Sequence, residues 1–230
     1  MITLHQLKQK VSMAVISFKH NFAFVKTHKT AGTAIEVSLS PLLPQSDILT
    51  EIKPKEEGHK ARNHKRLFKQ KIYNHMSSSE IKNFLGKEKS MELTFFCIER
   101  EPIDKCISHY CMLRYSSYHN KDSSYKLSWE EYVEKGDFPE DVSLYSKRNE
   151  TGDLELDVDL VLPYENLEKS LQGFFSSKGL MGFSMTSKAK SGFRKQSEEV
   201  PSIDTVKPSH KEKIYKAFED SLKLAQLYNT

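Results

Sequence analysis

Residues 22–39 read Phe22-Ala-Phe-Val25, then Lys26-Thr-His-Lys-Thr-Ala-Gly-Thr33, then Ala34-Ile-Glu-Val-Ser-Leu39. The first four are short, apolar and aromatic, the composition of a buried strand. In the last six, Ile35 and Leu39 stand four apart, the spacing of one helix face. Between them lies a loop rich in lysine and threonine with one histidine and one glycine. Strand, small-residue loop and helix is the arrangement in which backbone N–H groups at a helix N-terminus gather around an anion. Gly32 lets the backbone come close, Lys29 brings a point charge, and Thr30 and Thr33 bring hydroxyl donors. The reading is a phosphate- or sulfate-binding loop.

A second stretch has the same logic. Residues 91–113 read Met91-Glu-Leu-Thr-Phe-Phe-Cys-Ile-Glu-Arg100-Glu-Pro-Ile-Asp104-Lys-Cys-Ile-Ser108-His-Tyr110-Cys-Met-Leu113. Leu93 to Ile98 form a second buried strand, and Pro102 suits the first turn of a helix, where its missing N–H costs nothing. Ile103, Cys106, Ile107 and Tyr110 then recur at helical spacing. Arg100 therefore stands at the C-terminal end of a strand, and Ser108 about two turns into the next helix. A planar fork and a hydroxyl so placed can clamp a second phosphate.

The first loop lacks the glycine order G-x-x-x-x-G-K-[ST] of nucleotide hydrolases. It resembles instead the 5′-phosphosulfate loop of sulfotransferases that use PAPS (3′-phosphoadenosine 5′-phosphosulfate), whose carbohydrate branch often reads K-T-G/A-G/S-T after its first strand. The second stretch is similar to that family's 3′-phosphate motif, R-x-P-x-D-R-x-x-S-x-Y. Arg100, Pro102, Asp104, Ser108 and Tyr110 match, and Lys105 replaces the usual arginine. Fainter echoes are Val158 to Leu162 followed by Tyr164-Glu-Asn-Leu167, like the family's strand ending in Y-E-x-L, and the basic loop Lys190-Ser-Gly-Phe-Arg194-Lys195. The resemblance spans roughly residues 13–228, and only its first two motifs are specific.

The resemblance implies one sulfotransferase-like domain over residues 1–230. Its fold would be a three-layer, P-loop-like α/β fold with a central parallel sheet flanked by helices. PAPS would be the co-substrate and PAP, its desulfated form, the product. The cofactor would be bound by His28, Lys29, Thr30, Ala31, Gly32, Thr33, Ala34, Arg100, Ser108 and Arg194. In such a transfer the protein aligns the groups and stabilises charge on the leaving phosphate, a task for Lys29 that calls for no metal. The nine histidines show no H-x-x-x-H pattern.

A hydroxyl acceptor needs a base. His75, just before a capped helix and one element before the Arg100 strand, is the first choice, because related carbohydrate sulfotransferases often have a histidine there. His59 is the next candidate, and His28 is assigned to donor oxygens. Glu36 would lie too close to an anionic donor. The acceptor is read only as a hydroxyl or amine of a carbohydrate or small metabolite, with specificity in residues 40–74 and 114–150. Two rivals stand beside this reading: a nucleotide-dependent phosphotransferase, which would need a magnesium site, and a non-catalytic module that binds PAP or sulfated ligands.

Composition bounds the rest. A chain of 230 residues holds one α/β domain with a substantial core. Hydrophobic content of 37% and a mean hydropathy of −0.60 describe a polar-surfaced protein. No apolar run approaches a membrane span, and residues 1–10 have amphipathic spacing without a signal-peptide core. Three cysteines without a pairing pattern suit a reducing compartment, so the expected location is the cytoplasm. Net charge is +4, yet His59 to Ile72 holds six cations and no acid: Lys60, Arg62, Lys65, Arg66, Lys69 and Lys71. With little aromatic interleaving, that run reads as a mobile basic segment on the substrate side and not as a nucleic-acid surface. The oligomeric state has no signature.

Caps set the remaining order. Ser77-Ser-Ser-Glu80 and Ser128-Trp-Glu-Glu131 are capping boxes opening helices that Gly86 and Gly136 close. Ser209-His-Lys-Glu212 opens a long last helix with Ile214, Phe218, Leu222 and Ala225 on one face. Residues 40–74, 114–127 and 176–207 read as loops or irregular segments. Alternating strands and helices imply a parallel sheet with helices on both faces and phosphate loops at the strands' carboxyl ends.

Overall fold

The computed structural model of the chain describes residues 14–64, 75–187, 192–196 and 199–228. The amphipathic reading of residues 1–10, the cations Lys65, Arg66, Lys69 and Lys71, and Lys190 lie outside them.

The chain opens with strands β1 (Val15–Ser17) and β2 (Phe22–Phe24), helix α1 (Gly32–Leu39) and the two-residue strand β3 (Ile48–Leu49). Helices α2 (Ser78–Leu85) and α3 (Lys87–Met91) precede strand β4 (Thr94–Glu99) and helix α4 (Pro102–Tyr115). Then come α5 (Trp129–Lys135), α6 (Val142–Tyr145), a hairpin of β5 (Ser146–Arg148) and β6 (Leu154–Leu156), and β7 (Leu160–Pro163). A 3₁₀ turn at Tyr164–Asn166 leads into α7 (Leu167–Ser177), and α8 (Pro208–Ala217) and α9 (Glu219–Tyr228) end the description.

Five strands form one sheet in the order β3-β1-β2-β4-β7. Side chains alternate across it, so both faces must be covered. Ile16, Ala23, Phe95 and Cys97 pack with Ile81, Leu85, Tyr145 and Leu224 from α2, α6 and α9. Phe22, Phe24, Phe96 and Ile98 pack with Ile35, Leu39, Leu171 and Phe175 from α1 and α7. The protein is thus α/β, with helices on both faces of a central sheet. Among the described residues, no helix is long and apolar enough to cross a membrane.

The sheet is mixed, which corrects the expectation of parallel strands throughout. β2, β4 and β7 run parallel, but β1 pairs antiparallel with both β2 and β3. Only residues 18–21 join β1 to β2, a length that closes a hairpin and is far too short for a crossover. β3 lies inside a segment read as loop, because two residues are too few to show a period.

Both serine capping boxes form as read, with Ser77 accepting from the Glu80 N–H and Ser128 from the Glu131 N–H. The last helix does not. Pro208 itself takes the first helical position with Lys207 as the cap, since its fixed φ suits that place, and Ser209 falls inside the helix. The helix also breaks at Phe218, which changes the phase: Leu224 is buried and Ala225 is exposed. Arg62 is another correction. It is a buried knot and not a surface cation, donating to the carbonyls of Ser40, Leu43, Pro44 and Lys60.

Candidate functional site

The carboxyl ends of the parallel strands β2, β4 and β7 meet at one edge of the sheet. The Val25 N–H still bonds the Phe96 carbonyl, at 2.8 Å, and beyond it the chain leaves the sheet. Lys29 (φ 61°) and Ala31 (φ 60°) both take the left-handed conformation before α1 begins. Such conformations are costly for residues with a Cβ and persist where the surroundings enforce them, commonly at functional sites. His75 (φ 53°) is a third. All three line one cavity of about 480 Å3.

The loop is held from below. Thr27 donates to the Ile98 carbonyl at the end of β4, and its hydroxyl lies 2.9 Å from that of Thr30. Thr30 is fully buried and donates to the Thr27 carbonyl, so its hydroxyl faces the loop's interior and not the cavity, contrary to its expected part as a donor. Ala34 is also buried and absent from the cavity wall. Thr33 and Gly32 reach the wall. Thr33 accepts from the Lys26 ammonium at 3.2 Å, and that ammonium is 3.7 Å from the fully buried Glu36 carboxylate. What comes close to Gly32 is the Lys26 stem. A Cβ on Gly32 would lie within 2.9 Å of three Lys26 carbons. Gly32→Ala should therefore cost about 1–3 kcal/mol, the usual range for overpacking, because Lys26 is squeezed away from Glu36. A urea midpoint equal to that of wild type would show that Lys26 swings clear.

The opposite wall comes from β4 and α4. Arg100 follows β4, and its Nε and Nη2 grip the Asp104 carboxylate one turn into α4. Its Nη1 donates to the Lys29 carbonyl at 2.9 Å, tying this wall to the loop. These bonds leave one N–H on each terminal nitrogen. The guanidinium lies 4.1 Å from the ring centre of Tyr164, which follows β7. Arg194 reaches the same carboxylate at 2.6 Å. Ser108 lines the cavity from α4, with Lys29 and Phe193 beside it. Lys29, Arg100, Arg194, Ser108, Ala31, Gly32 and Thr33 are thus brought together. A second cavity, of about 520 Å3, runs along β7 and α9 and shares Arg100, but its lining includes Glu99, Glu101, Asp159 and Glu165. Of these two cavities, the first carries the more cationic lining.

Lys105, at the departure from the R-x-x-S spacing, does not face this cavity. It is fully buried, 3.0 Å from Glu99 and 2.8 Å from Asp141. Burial works against its charge, but the two carboxylates outweigh that and raise its pKa. Burial raises the pKa of Glu99.

Histidines form the third wall. His28 and His75 stack face to face, with ring centres 3.4 Å apart and planes 11° from parallel. His75 Nδ1 is 2.7 Å from the Lys26 carbonyl, which can only accept, so that nitrogen carries the proton. Burial, and then the neighbouring His28 and Lys26, push the His75 pKa down to about 3. His109, 3.1 Å from the Tyr132 hydroxyl, is likewise pushed down to about 3, by burial first and Lys29 second. His28 lies 2.5 Å from Asp141, whose carboxylate also accepts the His28 backbone N–H at 2.6 Å. Burial raises the pKa of Asp141, but His28 and Lys105 outweigh it and hold the group below the ordinary carboxylate range. His59 is elsewhere: its ring is buried against Glu36, at 3.3 Å, and is not part of the cavity wall.

Sequence reasoning missed Asp141 and His109, and gave Phe193 and Tyr164 only within its two fainter echoes. Asp141 had no local signal, standing in an unpatterned Pro-Glu-Asp turn within a segment read only as specificity-bearing. His109 had no local signal either, since adjacent helix positions point about 100° apart and its neighbour Ser108 does not mark it. Comparison with protein-family models, with curated proteins and with solved structures found no match to this chain.

Proposed function

We propose that this chain is a PAPS-dependent sulfotransferase with a P-loop-like fold. The observation that carries the reading is that Lys29 and the Arg100–Ser108 wall, far apart in sequence, line one cavity at the carboxyl ends of adjacent parallel strands. Open sheets with this topology bind ligands there. Lys29, Arg100 and Arg194 all line this cavity, which suits a ligand with two anionic ends, and PAPS has a 5′-phosphosulfate and a 3′-phosphate.

In this reading the left-handed loop and Lys29 hold the 5′-phosphosulfate. Arg100, whose remaining N–H groups are aimed by Asp104, holds the 3′-phosphate with Ser108 and Arg194. The acceptor oxygen attacks sulfur, the bond from sulfur to the 5′-phosphate oxygen breaks, and its electron pair stays on that oxygen. The acceptor's proton goes to a base, and the products are PAP and the sulfated acceptor. Lys29 acts where charge grows most, on the departing phosphate.

Thermal-shift titration with PAP tests the reading first, because a ligand that binds only the folded state raises Tm. Labelled PAPS presented with carbohydrate and small hydroxyl or amine acceptors tests turnover. Absence of both a shift and transfer would remove the proposal. Arg100→Ala and Ser108→Ala should weaken PAP mainly through binding, since the 3′-phosphate takes no part in bond breaking. Loss of the charge-assisted Arg100 contact should cost about 1.5–3 kcal/mol, roughly a 10- to 150-fold rise in Kd. Adenosine 5′-phosphosulfate, which lacks the 3′-phosphate, is the control. Mutants that still prefer PAPS over it as strongly as wild type does would show that these residues hold something else.

A further inference from the structure

We infer that the base of this reaction is His28, held in place by Asp141 from the turn before α6. The inference rests on the sulfotransferase reading and assigns its proton-transfer step.

Geometry separates the two stacked rings. A contact of 2.5 Å between His28 Nδ1 and a carboxylate oxygen needs a proton between them. With Asp141 ionised, that proton belongs to Nδ1, which leaves Nε2 as the basic nitrogen. Asp141 is itself fixed by the His28 backbone N–H and by Lys105 at 2.8 Å, so the imidazole has one orientation. Among the described residues, His75 Nδ1 meets the Lys26 carbonyl and no carboxylate at this distance. An imidazole backed by a carboxylate gains stabilisation as it becomes positive, and one backed by a carbonyl gains less.

Charge balance points the same way. Behind the loop, Glu99 and Asp141 share the single buried ammonium of Lys105. An imidazolium formed at His28 as the acceptor proton arrives therefore lies 2.5 Å from a carboxylate whose charge Lys105 only partly offsets. The other titratable groups around the ring are His75 on its face, Lys26 and Lys29 on its own loop, and His109 from α4. A second proton on His75 is opposed by its burial and then by His28 and Lys26, which outweigh the pull of Asp141. The His28 side chain is 40% exposed and lines the cavity, so it meets the acceptor and can return its proton to solvent.

The step is balanced. As the acceptor oxygen bonds sulfur, its proton moves to His28 Nε2, and the sulfur–oxygen bond to the 5′-phosphate breaks toward Lys29 on the neighbouring residue. The imidazolium then loses its proton to water. His28 is the catalytic residue in this step and Asp141 a positioning residue.

Water is an acceptor that needs no identification, so the probe is release of labelled sulfate from PAPS in the full chain, with PAP thermal shifts confirming that each variant folds and binds. His28→Ala should lose roughly 10²–10⁴-fold in rate, keep the PAP shift, and recover in part when free imidazole is added. His75→Ala should lose much less and gain nothing from imidazole. Asp141→Asn should slow turnover, and nitrogen NMR of the His28 ring should show Nδ1 protonated in wild type and a mixture of tautomers in the variant. His28→Ala turning over at the wild-type rate with its PAP shift intact would overturn the assignment and leave the sulfotransferase reading standing. Wild type that binds PAP but releases no sulfate to water overturns the assignment too. Wild type that neither binds PAP nor consumes PAPS removes the sulfotransferase reading and the base with it.

Discussion

Lys29→Ala will lower kcat by roughly 10²–10³-fold, the loss seen when one group that stabilises developing negative charge is removed. Its effect on PAPS affinity will be far smaller. The reasoning is differential: the oxygen that bridges phosphorus and sulfur in the phosphosulfate anhydride gains charge only as the bond to sulfur breaks. A cation that meets it then lowers the barrier more than it tightens the ground state. Lys29 is placed for this by its left-handed backbone and by the Arg100 bond to its carbonyl. Lys26 is the informative comparison, because its ammonium is committed to Thr33 and Glu36. Lys26→Ala should appear as lost stability. Measuring kcat and PAPS affinity for both variants separates the roles, and an unchanged kcat in Lys29→Ala would remove Lys29 from the chemistry.

Acidification from pH 7 to pH 5 will cost the unliganded fold about 4 kcal/mol, roughly 2 kcal/mol for each of His75 and His109. Both have folded pKa values of about 3 against an ordinary 6.5, with burial the main cause. In each case the unfolded chain binds the proton more readily than the folded one. The stabilisation is therefore fully present above about pH 6.5 and is lost as pH falls from there toward 3. Asp141, held low, has the same sign but acts lower, contributing above the ordinary carboxylate value and losing that contribution only in stronger acid. Urea unfolding at pH 7, 6 and 5 reads the effect directly. A flat midpoint across that range would mean that the two rings accept protons in the folded state.

The parts of this fold written locally were readable. The aromatic run at Phe22 and the run at Thr94 are strands, and both serine boxes open the helices they should. Each depends on neighbours within four residues, where period and capping chemistry act. β3 was unreadable because its two residues are held by pairing with β1 and by the bridge from Leu49 to Arg62. The last helix was misread at its start because two local signals competed, and proline's fixed φ won over serine's side chain.

Sequence by itself determined the two segments that meet at the first cavity, since a lysine–threonine–glycine turn after a strand and an arginine before a Pro-started helix are short-range patterns. It did not determine what the buried charges do. Lys105 was a substituted motif position, Arg62 one cation of a basic run, and His28 a loop residue assigned to donor oxygens. Tertiary structure gave Lys105 to Glu99 and Asp141, gave Arg62 to four carbonyls, and set Asp141 behind His28 across 113 positions of chain. The physical reason is desolvation. A charge removed from water must find its partner wherever the fold brings one, and no local period constrains a partner that distant.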